Sequence, residues 1–190
     1  MPAGYRALTL RGQGILQVLS TPVQVAPPLL GPHNTPTKTR DCTAVWDTGA
    51  TGTAITQAVV DDLGLKPIGL VAVHTANGTR MCEVYMVALL LPNGVNVDTR
   101  ATLGDIPSCD VLIGMDVITL GDFSVTNFNG QTTMSFRIPS QSDVDFVKRA
   151  HAADAVAGDG KPKVAMAPSA QPSRQQRRHP GKPNPKRRKH

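Results

Sequence analysis

The chain has 190 residues, of which 40% are hydrophobic and only 4% aromatic, and its formal net charge is +6. This length suits one domain with extensions, built around a core of aliphatic side chains. No apolar run approaches the roughly 18 residues that a membrane-spanning helix needs, so the composition excludes an integral membrane protein of the helical type.

The basic charge belongs to the C-terminal part of the chain. Residues 141–190 hold 12 Lys and Arg against 4 Asp, whereas residues 1–140 hold 8 Lys and Arg against 10 Asp and Glu. The part of the chain before Gln141 therefore has the composition of an ordinary folded domain, and the excess positive charge forms a tail.

The cysteines form neither a disulfide framework nor a metal site. They are three in number and lack C-x-x-C spacing, at Cys42, Cys82 and Cys109. An odd, scattered set of this kind favours small buried hydrophobes in a reducing compartment. We therefore expect a cytoplasmic protein whose cysteines hold no zinc ion.

The first third of the chain leads into one well-defined strand. Residues 1–13 are predicted to be a flexible N-terminus, and residues 15–25 have strand composition, with Pro22 favouring an edge position. A Pro- and Thr-rich loop over 27–38 separates this strand from the next, over 39–46.

The middle of the chain predicts a short helix followed by a hairpin. Thr56 can cap a helix over 56–63, and Gly64 can end it. Two strand-like runs, 70–76 and 80–91, then flank Asn77-Gly78, and Asn-Gly between such runs favours a two-residue hairpin turn.

The rest of the folded part alternates turns and strands. Pro92-Asn93-Gly94 marks a turn before a strand over 95–103, and residues 108–113 read as a buried strand. One or two helical turns over 116–120 precede a last hairpin over 123–138. Many short strands with Gly, Asn and Pro turns predict an all-β, barrel-like domain with short helices over residues 14–140.

The composition changes after Pro139. Residues 141–156 could form a short helix, with Ser142 as its cap and Asp145 at the third position. Residues 157–190 are rich in Gly, Pro, Ser, Gln, Lys and Arg, a composition that buries too little apolar surface to fold. We predict a disordered basic tail there.

The most informative motif is Asp47-Thr48-Gly49-Ala50, which follows the apolar run Ala44-Val45-Trp46. A carboxylate at a strand-to-loop transition can be tuned by its neighbours, a Thr hydroxyl can donate and accept hydrogen bonds, and Gly permits close backbone approach. The alternative is an ordinary turn or capping aspartate.

A second motif follows much later in the chain, where Cys109-Asp110-Val111 leads into Leu112-Ile113-Gly114-Met115-Asp116. Asp-Thr-Gly-Ala after an apolar strand, with a later Leu-Ile-Gly-x-Asp, resembles the retropepsin family of aspartic proteases, and more narrowly its bacterial or phage-type members. The resemblance covers about residues 40–138.

The resemblance implies a retropepsin-like closed barrel that works as a homodimer. The chain has one Asp-Thr-Gly, so Asp47 of each of two subunits would meet across a two-fold axis. Thr48 would bond to the partner chain's loop, Gly49 and Ala50 would support the loop, and Leu112, Ile113 and Gly114 would form its floor. The implied activity is that of an aspartic endopeptidase on extended peptides.

The hairpin tip is the candidate flap that would close over a substrate; it consists of Thr75, Ala76, Asn77 and Gly78. The alternative is an ordinary surface hairpin. Asp116 is interpreted as a helix N-terminal carboxylate favoured by the helix dipole rather than as a second catalytic acid.

Two other functions stay open. The same fold could be a catalytically silent, dimeric module that binds a peptide or partner. The tail could also tether the domain to nucleic acid without reading sequence, through phosphate contacts, or could simply be a solvated tail. Its candidate contact residues are Arg177, Arg178, Lys186, Arg187, Arg188 and Lys189.

Overall fold

The computed structural model describes residues 4–29, 35–75 and 78–157. The chain divides after Val144 into two compact units. The first unit is almost entirely β-structure, and the second begins with a helix.

The described residues contain ten strands and three α-helices. The strands are β1 (Arg6–Arg11), β2 (Ser20–Ala26), β3 (Arg40–Trp46), β4 (Thr53–Ile55), β5 (Gly69–Thr75), β6 (Gly78–Leu91), β7 (Val95–Leu103), β8 (Val111–Ile113), β9 (Asp122–Thr126) and β10 (Thr133–Ile138). The helices are α1 (Gln57–Leu63), α2 (Met115–Ile118) and α3 (Phe146–Ala157).

Six strands close into a barrel. They pair in the order β2, β3, β8, β4, β7 and β6, and β6 returns to pair with β2 through Gln24–Ala26. Strand β5 lies outside this ring and pairs with β6 as a hairpin. The predicted all-β closed barrel with short helices is confirmed.

Alternation of side chains along β6 explains how the barrel is filled. Tyr85, Val87, Leu89 and Leu91 alternate along the strand and are all buried in the core. This period of two places one face of the strand inside the barrel. The core is built mostly from Val, Leu and Ile, with few aromatic residues.

A second sheet of three strands, in the order β1, β10 and β9, carries the aromatic cluster. Phe123 of β9 and Phe136 of β10 pack on Trp46, with ring centroids 5.7 and 5.0 Å from the indole. This sheet therefore packs against the end of β3, immediately before Asp47.

Strand β1 corrects the prediction of a flexible N-terminus over 1–13. Residues 6–11 pair with β10 in antiparallel register, from Arg6↔Ile138 to Arg11↔Thr133. Leu8 of β1 is buried in the core. A short strand whose partner lies at the other end of the domain leaves little local signal in the sequence.

Pro22 occupies the part of β2 where a missing N–H costs least. It pairs with Thr43 of β3, whereas the β2–β6 pairing begins further along the strand at Gln24. Pro22 thus lies outside the doubly paired part of the strand, as its edge preference predicts.

Two further local predictions need correction. Gly78 is the first residue of β6 and pairs with Thr75, so it is a strand residue and not a central turn residue. Helix α3 begins at Phe146 rather than near Ser142, because Asp145 Oδ1 accepts the N–H groups of Val147 and Lys148 at 2.9 and 3.0 Å. Asp145 therefore caps this helix.

Candidate active site

Asp47 lies directly after β3, at the point where the chain leaves the barrel. Its N–H donates to Ile113 O at 2.9 Å, which extends the parallel pairing of β3 with β8 by one step. Asp47 is half-buried, whereas Thr48 and Gly49 are exposed. The carboxylate is thus held by a barrel strand and faces an open loop.

The loop after Asp47 folds back on the carboxylate. The N–H of Gly49 donates to Asp47 Oδ1 at 2.8 Å, and the N–H of Ala50 donates to Asp47 O at 3.2 Å. A Cβ on Gly49 would lie 3.1 Å from the same carboxylate oxygen. A backbone N–H bonded to a carboxylate is a strong, charge-assisted contact, so the backbone orients one oxygen of Asp47 and fixes its rotamer.

The floor segment Leu112-Ile113-Gly114 contacts this loop directly. A Cβ on Gly114 would lie 2.6 Å from the carbonyl group of Gly52 and 3.0 Å from Ala50 O. The next two N–H groups, those of Met115 and Asp116, donate to Ala50 O at 2.8 Å and Thr51 O at 3.1 Å. The two motifs are therefore one structural unit, although they lie far apart in the sequence.

Trp46 anchors the loop from behind. It is buried, its N–H donates to Leu19 O at 2.9 Å, and its indole Nε1 donates to Thr21 Oγ1 at 3.0 Å. The indole belongs to the aromatic cluster with Phe123 and Phe136. The residue before Asp47 is thus a core residue that connects the loop to both sheets.

The two aspartates of the second motif are engaged elsewhere. Asp110 accepts Arg40 Nη2 at 3.2 Å and the N–H of Thr43 at 3.0 Å. Asp116 accepts the hydroxyls of Thr53 and Thr99 at 2.9 and 3.2 Å. Within the described ranges, no second carboxylate is hydrogen-bonded to Asp47.

Sequence reasoning missed Thr53, and it placed Asp116 at the helix N-terminus without predicting its hydrogen bonds to Thr53 and Thr99. Thr53 opens β4, a short strand between β8 and β7 that no prediction contained. Its hydroxyl also accepts the N–H of Gly114 at 3.3 Å. Thr53 and Ile55 are fully buried, but a strand of three residues is too short to leave a clear local signal in the sequence.

The candidate flap lies only partly within the described residues. Thr75 and Gly78 pair at the end of the β5–β6 hairpin, and Ala76 and Asn77 lie outside the described residues. Away from the tip, the hairpin exposes Leu70 at 65% and Met81 at 61%, and Ile68, just before β5, is 55% exposed. This is a large apolar surface for so small an element.

The thiols of Cys42 and Cys109, on the Asp110 side of the barrel, both have raised pKa values. Burial, with the negative charge of Asp110 next in importance, raises the pKa of the Cys42 thiol to about 11. Burial also raises the pKa of Cys109. A raised pKa makes a thiol less reactive, because the thiolate is the nucleophilic form. Among the described residues, no group of three or more His, Cys, Asp and Glu is placed to hold a metal ion.

Comparison with known families gives this geometry a context. Residues 37–119 match the family described as "gag-polyprotein putative aspartyl protease". The predicted resemblance to the retropepsin-like aspartic proteases is confirmed. The matched stretch contains the Asp47 loop, the hairpin and the floor segment.

Several solved structures are similar to this chain. A retropepsin-like aspartic protease from Rickettsia conorii is 14% identical, with a TM-score of 0.44, over 71% of this chain and 96% of that one. The EIAV protease, complexed with an inhibitor, is 20% identical, with a TM-score of 0.38, over 54% and 86%.

The third similar structure is much longer. A foamy viral protease–reverse transcriptase, in complex with an RNA/DNA hybrid, is 27% identical over 53% of this chain, with a TM-score of 0.38. The match spans only 11% of that protein. None of the curated proteins that were searched matches this chain.

Other predicted features fall outside the site. The basic tail residues Arg177 to Lys189 lie beyond the described part of the chain, so nucleic-acid contact stays a prediction. Across residues 4–29, 35–75 and 78–157, no helix is long and apolar enough to cross a bilayer.

Proposed function

We propose that the chain is an aspartic endopeptidase that works as a homodimer, with Asp47 of each subunit forming the catalytic pair. The observation that carries this proposal is the Asp47 loop, whose carboxylate is bonded to the N–H of Gly49 and whose backbone is joined to the floor at Gly114. Such a loop presents one fixed carboxylate and leaves the other half of the reaction to a partner.

The chemistry requires two carboxyl groups close together. Like charges at such a distance disfavour double ionisation, so the pair shares one proton and titrates as a unit. The ionised group takes a proton from the attacking water, and the protonated group donates a hydrogen bond to the scissile carbonyl. No metal or cofactor enters this scheme.

The second carboxylate comes from another copy of the chain. Asp110 and Asp116 are bonded to Arg40, Thr43, Thr53 and Thr99, and they serve structural roles at the barrel end. A two-fold axis passing beside Asp47 supplies the missing group, with Thr48 exposed beside it and available to the partner's loop. The substrate is an extended peptide covered by the β5–β6 hairpin.

The decisive test is cleavage of a diverse peptide library by the purified chain. Wild type and Asp47→Asn are compared between about pH 4 and 7, the span over which a proton-sharing carboxyl pair changes its ionisation. We expect cleavage by wild type and its loss in Asp47→Asn, with unchanged thermal unfolding. Asp61→Asn, an exposed carboxylate of α1, is the matched control and keeps wild-type activity.

Either of two results would contradict the proposal. Cleavage that survives in Asp47→Asn would place the chemistry elsewhere. A folded, dimeric wild type that cleaves nothing would favour the peptide-binding module.

Deleting residues 157–190 separately tests the tail, since nucleic-acid retention that survives the deletion would exclude a tail-based tether.

A further inference from the structure

We propose that Asp116 is a positioning residue for the Asp47 loop, acting through the buried hydroxyl of Thr53. This role rests on the proposed function in one respect, which is that the Asp47 loop is taken to be catalytic. The hydrogen-bond network of Thr53 and Asp116 can also be tested without measuring peptide cleavage.

The Thr53 hydroxyl makes two hydrogen bonds, one as acceptor and one as donor. Thr53 is fully buried, and its Oγ1 accepts the N–H of Gly114 at 3.3 Å. The same hydroxyl donates to Asp116 Oδ1 at 2.9 Å. Because a hydroxyl has one proton, the bond to Asp116 directs a lone pair of Oγ1 toward Gly114.

Both carboxylate oxygens of Asp116 accept hydrogen bonds. Asp116 Oδ2 accepts Thr99 Oγ1 at 3.2 Å, so the side chain joins β4 to β7 while its own residue lies in the first turn of helix α2. Its backbone N–H donates to Thr51 O at 3.1 Å. Asp116 therefore holds the loop at two points and attaches it to a barrel strand. This role goes beyond a favourable charge at a helix N-terminus.

The floor segment connects Thr53 and Asp116 to Asp47. Gly114 packs closely against the loop after Asp47, because backbone atoms of Gly52 lie 2.6 Å from where its Cβ would be. Ile113, its neighbour, accepts the N–H of Asp47. A loss of the Thr53–Gly114 bond therefore loosens the floor at the residue next to the one that holds the catalytic aspartate.

The test compares Asp116→Ala, Asp116→Asn and Asp110→Asn in the full-length chain. Asp110 is the matched control, since it lies in the same motif and also uses both carboxylate oxygens, but on the Arg40 side of the barrel. Kinetics are measured above the dimerisation range and well below the unfolding temperature, so that only folded dimer is compared.

We expect Asp116→Ala to lower kcat by about 10- to 100-fold with little change in KM, because displacement of a reacting group slows the chemical step. Asp116→Asn keeps one acceptor oxygen and recovers part of that loss. Asp110→Asn retains the wild-type kcat. An unchanged kcat in Asp116→Ala, or an equal loss in Asp110→Asn, would overturn the proposal.

Amide hydrogen exchange provides a readout that is independent of catalysis. In Asp116→Ala the N–H groups of Asp47, Gly114 and Met115 should exchange faster than in wild type, while those of the β6–β7 ladder keep their protection. Uniform protection across both regions would contradict the positioning role, even if the chain cleaved no peptide. If Asp116→Ala does not fold, Thr99→Val replaces it in the same measurements. This variant removes only the hydroxyl that donates to Asp116 Oδ2.

Discussion

The Asp47 loop and the β5–β6 hairpin lie in the same barrel unit and are built in opposite ways. The loop is held by hydrogen bonds to the floor at Ile113, Met115 and Asp116, of which Ile113 is buried and the other two are half-buried. The hairpin pairs β5 with β6 alone and leaves Leu70 and Met81 more than half exposed. The comparison indicates that the segment under the Asp47 carboxylate is rigid. The hairpin instead provides accessible apolar surface.

This difference has a direct physical consequence. Moving the loop breaks several hydrogen bonds at once, and each partner that is shielded from water is then left as a costly unpaired group. Moving the hairpin exposes little that is not already in water, so its displacement costs far less. Substitutions in the loop should therefore affect folding, and substitutions in the hairpin should affect peptide binding.

The largest effect is expected for Gly114→Ala. The added Cβ would meet backbone atoms of Gly52 at 2.6 Å, and backbone cannot rotate away as a side chain can. We expect the free energy of unfolding to fall by at least about 2 kcal/mol, as for overpacked cores. Urea denaturation measures this change.

Gly52→Ala is the matched control, since a Cβ there meets nothing within 4 Å. Its unfolding free energy should stay within about 0.5 kcal/mol of wild type. Equal stability of the two variants would show that the loop and the floor can separate, which the rigid-loop account does not allow.

A smaller loss is expected for Thr21→Val. Thr21 is buried, and its hydroxyl is the acceptor for the indole N–H of Trp46. An unpaired indole N–H in the core should cost about 1–3 kcal/mol of unfolding free energy. Chemical denaturation of Thr21→Val beside Thr43→Val, whose side chain is exposed on β3, isolates the effect; equal stability would remove Trp46 as an anchor.

The hairpin should respond in binding rather than in folding. Leu70→Gln combined with Met81→Gln should leave the unfolding free energy within about 0.5 kcal/mol, because both side chains are exposed. If this surface covers the peptide, KM should rise about tenfold from lost apolar burial. Val147→Gln, on exposed α3, should leave KM unchanged, and an unchanged KM in the double variant would make this an ordinary surface hairpin.

The smallest effect concerns acid stability beyond the loop. Hydrogen bonds from the N–H of Gln141, the hydroxyl of Ser140 and the guanidinium of Arg137 hold the pKa of Asp122 well below its usual range. A lowered folded-state pKa stabilises the protein above the unfolded pKa of about 3.9, and that contribution is lost as the pH falls toward the folded value.

The comparison of unfolding temperatures between about pH 2 and 7 checks this effect. Asp122→Asn should lie below wild type by a constant amount above about pH 5 and approach it below about pH 4. Asp105→Asn, an exposed loop carboxylate, serves as the control. A gap between Asp122→Asn and wild type that widens in acid would contradict the assignment.

Local signals in the sequence predicted much of this architecture. Gly64 ends α1 in a left-handed conformation at φ 63°, as a glycine after a helix favours, and β3, β5, β6 and β7 lie where alternating apolar residues indicated. Asp47 and the floor segment were identified by motif, and the structure places them in contact. These features depend on residues near one another in the chain or on a family pattern.

The parts that were missed depend on distant partners. Strand β4 is short and exists because β7 and β8 flank it. Asp116 looked like a helix-terminal carboxylate because its hydrogen-bond donors, Thr53 and Thr99, lie far from it along the chain. No local pattern specifies which hydroxyls a carboxylate will accept.

Subunit mixing tests the shared catalytic pair most directly. A fixed amount of wild type is equilibrated with an equal amount of Asp47→Asn, and cleavage is measured after exchange. If each site needs Asp47 from both chains, random pairing leaves about a quarter of the dimers fully wild type, so activity per wild-type chain falls to about half. Activity that stays at the wild-type value, with exchange demonstrated, would contradict the account.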